Sequence, residues 1–299
     1  MEKASKEEKI NIDVSEVKLF SVPFSLVEVK KDISISTNSS IKPSEKELID
    51  QAFKYHSKGN ISEAAKYYQD FINQGFKDHN VFSNYASILK SLGKFKEAEI
   101  SIRKAIELKP DFANAHSNLG NILSELGKFK EAEISQRKAI GLKPDLVNAH
   151  FNLGNILSQL GNSKEAQISI QNAIELKPNF AEAHYNLGNI LCDLGRFKEA
   201  EMSTRKAIEL KPDMAEAHYN LGNILTEFGK FKEAEISIRK AIELKPNLAD
   251  AYTTLAEIFR RLGRSKEAID CSEKTLEIRP WSIKGLYGLD HTCEIKPIS

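Results

Sequence analysis

Asparagine recurs along this chain in two fixed registers, Asn84, Asn118, Asn152, Asn186 and Asn220 in one and Asn121, Asn155, Asn189 and Asn223 in the other. Each side-chain amide carries a donor and an acceptor together, the complement of the C=O and N–H of a peptide unit. A row of such amides suits the holding of an extended main chain whatever its side chains, which is binding chemistry rather than catalysis. The bland alternative is that asparagine only keeps a solvated helix face polar in duplicated sequence. Asparagine is a mediocre helix former, so its recurrence calls for a reason, and duplication alone could supply one.

Other reactive residue types lead to no catalytic constellation. His116, His150, His184 and His218 also recur. Equivalent residues of stacked helical units stand about 8–10 Å apart, whereas two imidazoles on one zinc need nitrogens within about 4 Å, so packing is expected here and no metal. There is no HExxH, P-loop or GxSxG, and glycine pairs such as Gly222 and Gly229 have the wrong spacing for a phosphate loop. Cys192, Cys271 and Cys293 are far apart, odd in number and form no CxxC pair, so they read as free thiols in a reducing compartment. The sequence therefore predicts no catalytic residue, no cofactor and no enzyme.

The elements that would position these residues follow from a strict period. Pro110, Pro144, Pro178, Pro212, Pro246 and Pro280 are each 34 residues apart, and glycines from Gly59 to Gly263 and alanines from Ala64 to Ala268 keep the same spacing. Counting Ala215 as position 1, His218, Leu221, Gly222, Leu225 and Phe228 form the apolar stripe of a first helix, A. Gly229 at position 15 supplies a left-handed residue that closes it. Phe231, Ala234, Ile238, Ala241, Ile242 and Leu244 form the stripe of a second helix, B, with acids early and lysines late, as the helix dipole favours. Pro246 ends helix B, and the Asp or Asn after each such proline (Asp111, Asp145, Asn179, Asp213, Asn247) is expected to cap the next helix A. Glycine or alanine at position 8 and alanine at position 20 predict a close crossing of A and B. Position 24 is polar at Gln136, Thr204 and Ser272, where softer interfaces are expected.

Leu at 7, Gly at 8, Ala at 20, Ala at 27 and Pro at 32 on this period resemble the tetratricopeptide repeat (TPR) family. The resemblance implies an all-α, right-handed superhelical solenoid of seven helix-turn-helix repeats (45–78, 79–112, 113–146, 147–180, 181–214, 215–248 and 249–282), with A helices lining a concave groove. Residues 1–44 are expected to form a mobile or partly extended arm, and residues 283–299 a capping helix and tail. Positions 6 and 9 lie off the apolar stripe on the exposed side of helix A, which the resemblance turns toward the groove. The position-6 row is similar to the asparagine ladder of O-linked N-acetylglucosamine transferases and related bacterial TPR proteins, and the AEAHYNLGN wording strengthens the likeness.

Partners follow from charge. Lys plus Arg number 43 and Asp plus Glu 42, a net charge of +1, so no nucleic acid is expected. No apolar run reaches the roughly 20 residues of a membrane helix, and no signal peptide opens the chain, so a cytoplasmic protein without membrane insertion is expected. One TPR subclass grips chaperone C-terminal carboxylates through Lys and Arg at positions 2, 5 and 6. Those cations are absent from the second repeat onward: position 2 carries Asn114, Asn148, Glu182, Glu216 and Asp250, and position 13 adds Glu125, Asp193 and Glu227. The expected ligand is a neutral or basic polypeptide segment, with Phe151, Tyr185 and Tyr219 beside it. The expected function is a non-catalytic binding scaffold. The alternative is the recognition arm of a glycosyltransferase or sulfotransferase, split or truncated from its catalytic domain, and a third reading is self-association through the ends of the stack.

Overall fold

Gly and Pro punctuation divides the chain into helices of thirteen or fourteen residues. The computed structural model describes residues 43–282, so the arm and capping helix expected at the two ends lie outside the described residues, apart from the start of the first repeat. The A helices are α1 (Glu45–Ser57), α3 (His79–Ser91), α5 (Ala113–Glu125), α7 (Val147–Gln159), α9 (Ala181–Asp193), α11 (Ala215–Glu227) and α13 (Ala249–Arg261). The B helices are α2 (Ile61–Asn73), α4 (Phe95–Leu108), α6 (Phe129–Leu142), α8 (Ser163–Leu176), α10 (Phe197–Leu210), α12 (Phe231–Leu244) and α14 (Ser265–Ile278). Among the described residues there is no strand, and the fold is an all-α solenoid of seven helix pairs.

Each A helix ends where the sequence places its glycine. Gly127 takes φ +72°, its N–H bonds Ser124 O, and the N–H of Lys128 reaches back to Leu123 O at 2.9 Å, which satisfies the last orphan carbonyls. A Cβ at Gly127 would meet nothing within 4 Å, so the requirement here is the backbone conformation alone. The starts of most A helices differ from expectation. Asp111 and its equivalents do not cap: the cap positions are Phe112, Leu146, Phe180, Met214 and Leu248, none with a side-chain cap bond. An apolar residue takes the cap position because it packs inward; Phe112 and Leu248 both lean on the core. Side-chain capping survives at the start of the array. Ser44 and Glu47 form a capping box on α1, and Asp78 accepts from Asn80 and Val81 on α3.

The small residues do set the crossing. The position-20 alanines, Ala64 through Ala268, are completely buried. Gly154 faces Ile170 so closely that a Cβ there would lie 2.5 Å from Ile170 Cγ1. Large side chains such as Ile102, Ile122, Leu157, Ile170 and Leu225 fill the space on either side. Burying one such side chain contributes about 1.5–3 kcal/mol. Packing is not equal on the two edges. From α3 to α13 successive A helices touch one another, whereas successive B helices are held apart. The stack therefore curves with its A helices on the inner edge, as a solenoid built of wedge-shaped units must.

Candidate functional site

The asparagines meet in the seams between successive A helices. Asn186 Nδ2 donates to Asn155 Oδ1 at 2.7 Å, and Asn220 Nδ2 donates to Asn189 Oδ1 at 2.7 Å. In the last repeat Thr254 stands at position 6, and its hydroxyl donates to Asn223 Oδ1 at 3.2 Å. In α9, α11 and α13 the two registers therefore act as one device, in which position 6 of a helix A reaches back to position 9 of the helix A before it. A rung of this kind uses one N–H and one lone pair, so the position-6 oxygen and both position-9 N–H groups keep unused capacity.

All nine asparagines are half-buried. That is deeper than the freely exposed side expected from the periodicity, because neighbouring A helices close over the seam. Early in the array the pattern changes. Gln136 Nε2 donates to Asn121 Oδ1 at 2.8 Å and to Ser117 O at 3.0 Å, which ties that amide toward helix B. Asn84 lies beside the Tyr68 hydroxyl, which is within 3.1 Å of His56 Nδ1; burial pushes that phenol up to about 12. Asn118 and Asn152 make no side-chain hydrogen bond among the described residues.

The flanking aromatics are partly committed to packing. Tyr185 and Tyr219 are half-buried, and Tyr219 rests on the Leu221–Leu255 core. The Phe151 ring lies 4.7 Å from that of Phe180. The acids also differ from the simple expectation of a negative groove. Glu182 pairs with Lys211 at 3.2 Å, Glu216 with Lys245 at 3.1 Å and Asp250 with Arg279 at 3.1 Å. The Glu182 and Glu216 carboxyls are held below their ordinary value by their own backbone N–H groups and then by these lysines. In these three repeats the cation just after helix B thus folds back on position 2 of its own repeat. Glu125, Asp193 and Glu227 at position 13 remain exposed and without an ion-pair partner among the described residues.

The recurrent histidines serve the turns. His116, His150, His184 and His218 place Nε2 at 2.9, 2.8, 2.9 and 2.9 Å from the carbonyl oxygens of Pro110, Pro144, Pro178 and Pro212. A carbonyl only accepts, so each Nε2 carries the hydrogen, and each histidine pins the turn that leads into its own helix. The sequence reading placed these rings in packing and missed this bond; the joint recurrence of His and Pro at a separation of six residues was the available signal. Cys192 and Cys271 are free, and burial pushes both thiols up to about 11.

Helix pairs on a constant period, with small residues at the crossing and a Gly-closed helix A, have a counterpart in known sequences. Tetratricopeptide repeat signatures match residues 179–247, 213–280, 113–146 and 147–180, and a TPR repeat signature matches 86–127. The chain belongs to the tetratricopeptide repeat family. Among curated proteins this TPR chain is 37% identical over 71 residues to the Hsp70-Hsp90 organising protein of Plasmodium falciparum, a stretch covering 24% of this chain and 27% of that protein. Among solved structures it is similar to YrrB, described as a TPR protein with an unusual peptide-binding site. The identity is 25% and the TM-score 0.55, over 63% of this chain and 97% of that one. The Cut9-Hcn1 hetero-tetramer of the APC/C shares the fold, with a TM-score of 0.68 and 19% identity over 81% of this chain and 48% of that one. No helix among the described residues is long and apolar enough to cross a membrane.

Proposed function

We propose that this TPR array is a non-catalytic scaffold whose inner, A-helix edge binds an extended segment of another protein. The observation that carries the reading is the pair of 2.7 Å rungs, Asn186 to Asn155 and Asn220 to Asn189. They orient a line of amides before any ligand arrives, which reduces the ordering cost of binding. Each rung offers a peptide unit an acceptor at position 6 and a donor at position 9, and Asn118 and Asn152 offer their full capacity. Recognition of the main chain makes the site tolerant of ligand sequence.

Side-chain preference comes from what flanks the row. The position-2 acids are neutralised, so a preference for neutral or basic segments rests on Glu125, Asp193 and Glu227. The likeness to an Hsp70-Hsp90 organising protein and to the peptide-binding YrrB supports a polypeptide ligand. Lys46 is the lone cation at positions 2, 5 and 6 of the seven repeats, which argues against a C-terminal carboxylate as the feature recognised. The test is affinity capture with the full chain, run beside a variant with Asn118, Asn152, Asn186 and Asn220 all changed to Ala. Each lost bond should cost about 0.5–1.5 kcal/mol, so the quadruple variant should lose the captured partner while any single change only weakens it. A partner retained at full strength by the quadruple variant would overturn this reading.

A further inference from the structure

The outer face carries a feature that neither the core nor the asparagine row requires. Ile100, Ile134, Ile168, Met202 and Ile236, all at position 22 of consecutive B helices, are 72%, 68%, 58%, 72% and 70% exposed. Large aliphatic side chains exposed to this degree are common singly; five in register on adjacent helices form a stripe. The stripe has ends, because the same position is Lys66 in the first repeat and Asp270 in the last. Met in place of Ile at one copy keeps the apolar character although the residue has changed.

The stripe borders open grooves. Because successive B helices stand apart, gaps of about 810, 420, 520 and 470 Å³ open between α2 and α4, α6 and α8, α8 and α10, and α10 and α12. Each is floored by the intervening helix A, at Leu89, Leu153, Leu187 and Leu221, and Ile100, Ile168, Met202 and Ile236 stand on their walls. The unpaired charge beside the stripe is mainly positive. One helical turn before each aliphatic residue stands an exposed lysine (Lys96, Lys130, Lys164, Lys198, Lys232) with no ion-pair partner among the described residues. Most acids on this face are spent: Glu99, Glu133, Glu201 and Glu235 are held by Arg103, Arg137, Arg205 and Arg239. Glu97 and Glu175 are unpaired exceptions along the stripe, and Asp70, Asp270 and Glu273 are unpaired on the B helices at its two ends.

We propose that the B-helix face is a second docking surface, for an acidic segment of another protein that carries bulky apolar side chains. Its apolar side chains enter the gaps beside position 22, and its carboxylates meet the unpaired lysines. A second copy of this chain fits less well, since a symmetric contact through the same face sets one lysine row against another. The surface is separate from the asparagine row, so it stands or falls independently of the function proposed above.

The probe is a fluorescein-labelled peptide of alternating Leu-Leu and Glu-Glu pairs, with a Leu-Lys peptide of the same pattern as control, followed by anisotropy against the full chain. Binding of the acidic peptide should weaken with salt and fall by at least about tenfold in the variant Ile134→Ser, Ile168→Ser, Met202→Ser. It should also weaken in Lys130→Gln, Lys164→Gln, Lys198→Gln and remain unchanged in the quadruple asparagine variant. These sites are exposed, so a circular dichroism melt should show both outer-face variants folded. Failure of the acidic peptide to bind, equal binding of the Leu-Lys peptide, or full binding by the serine variant would overturn the proposal. So would two rival outcomes in which the peptide fails: phosphatidylserine vesicles bound only by the unaltered stripe, or a stripe-dependent doubling of mass with concentration.

Discussion

The amide of Asn220 donates to the amide oxygen of Asn189 at 2.7 Å, across 31 residues of sequence and one helix-to-helix seam. The bond couples neighbouring repeats as well as orienting a binding row. Asn220→Ala should lower stability by about 0.5–1.5 kcal/mol, and a double-mutant cycle with Asn189→Ala should return most of that as coupling energy. Hydrogen exchange of α9 and α11 is the appropriate readout, because a repeat array opens locally. Zero coupling would mean that the two amides act separately.

Glycines of the array should respond in opposite directions to the same substitution. A Cβ at Gly154 would stand 2.5 Å from Ile170 Cγ1 and 3.2 Å from Ala166 O, so Gly154→Ala, and more so Gly154→Leu, should overpack the crossing and cost about 1–3 kcal/mol. Gly141 lies in α6 with nothing within 4 Å of an added Cβ. Gly141→Ala should therefore stabilise by about 0.4–1 kcal/mol, through lower entropy of the unfolded chain. Thermal melts of the two single variants decide both signs.

Thr204 marks the softest of the polar crossings. It is fully buried, and its hydroxyl makes no hydrogen bond at all, whereas Ser272 Oγ donates to Ala268 O and Gln136, whose Oε1 is also unpartnered, keeps two bonds from Nε2. Thr204→Val keeps the shape and removes an unsatisfied buried group, so stability should rise by about 1 kcal/mol. A lower melting temperature for this variant would show that the hydroxyl is satisfied in solution.

Periodicity made the helix pairs, the left-handed Gly127 turn and the buried Ala64–Ala268 series legible from sequence. Each is dictated by residues within one repeat. Side-chain pairings were less legible. The pairing of Asn186 with Asn155 and of Lys211 with Glu182 depends on how side chains reach across a seam or fold back past a turn, which spacing alone does not specify. The failed caps at Asp111 and its equivalents have the same origin, since burial of Phe112 outweighed local capping preference. The position-22 residues recurred as plainly as the asparagines and lie off the helix-B stripe, but the gaps they border come from the splaying of the B helices, which spacing does not specify.

Acid should loosen the outer face before the core. Burial raises the Glu99 carboxyl, but hydrogen bonds and charge from Lys128 and Arg103 outweigh it, and Glu99 is held below its ordinary value of 4.5. Arg205 and Lys230 do the same for Glu201. A carboxyl depressed in the folded state contributes stability that is fully present above 4.5 and is lost as pH falls through the lower folded value. The melting temperature should accordingly be flat from neutral pH down to about 5 and then decline, and Glu99→Gln with Glu201→Gln should flatten part of that decline.

The histidines offer a reading of the turns that involves no loss of structure. Each of His116, His150, His184 and His218 faces a proline carbonyl through Nε2, and that oxygen has no hydrogen to give. In the neutral ring the hydrogen must therefore sit on Nε2 in all four, whereas a histidine free in water exchanges between two tautomers. Nitrogen NMR at alkaline pH should show four rings locked in the Nε2–H form. Replacing one by Phe should leave the helices intact yet free its Pro carbonyl, at a cost of about 0.5–1.5 kcal/mol. Rings found with the hydrogen on Nδ1 would place the anchoring of these turns in the packing of Phe112 and its equivalents, with the imidazole as a bystander.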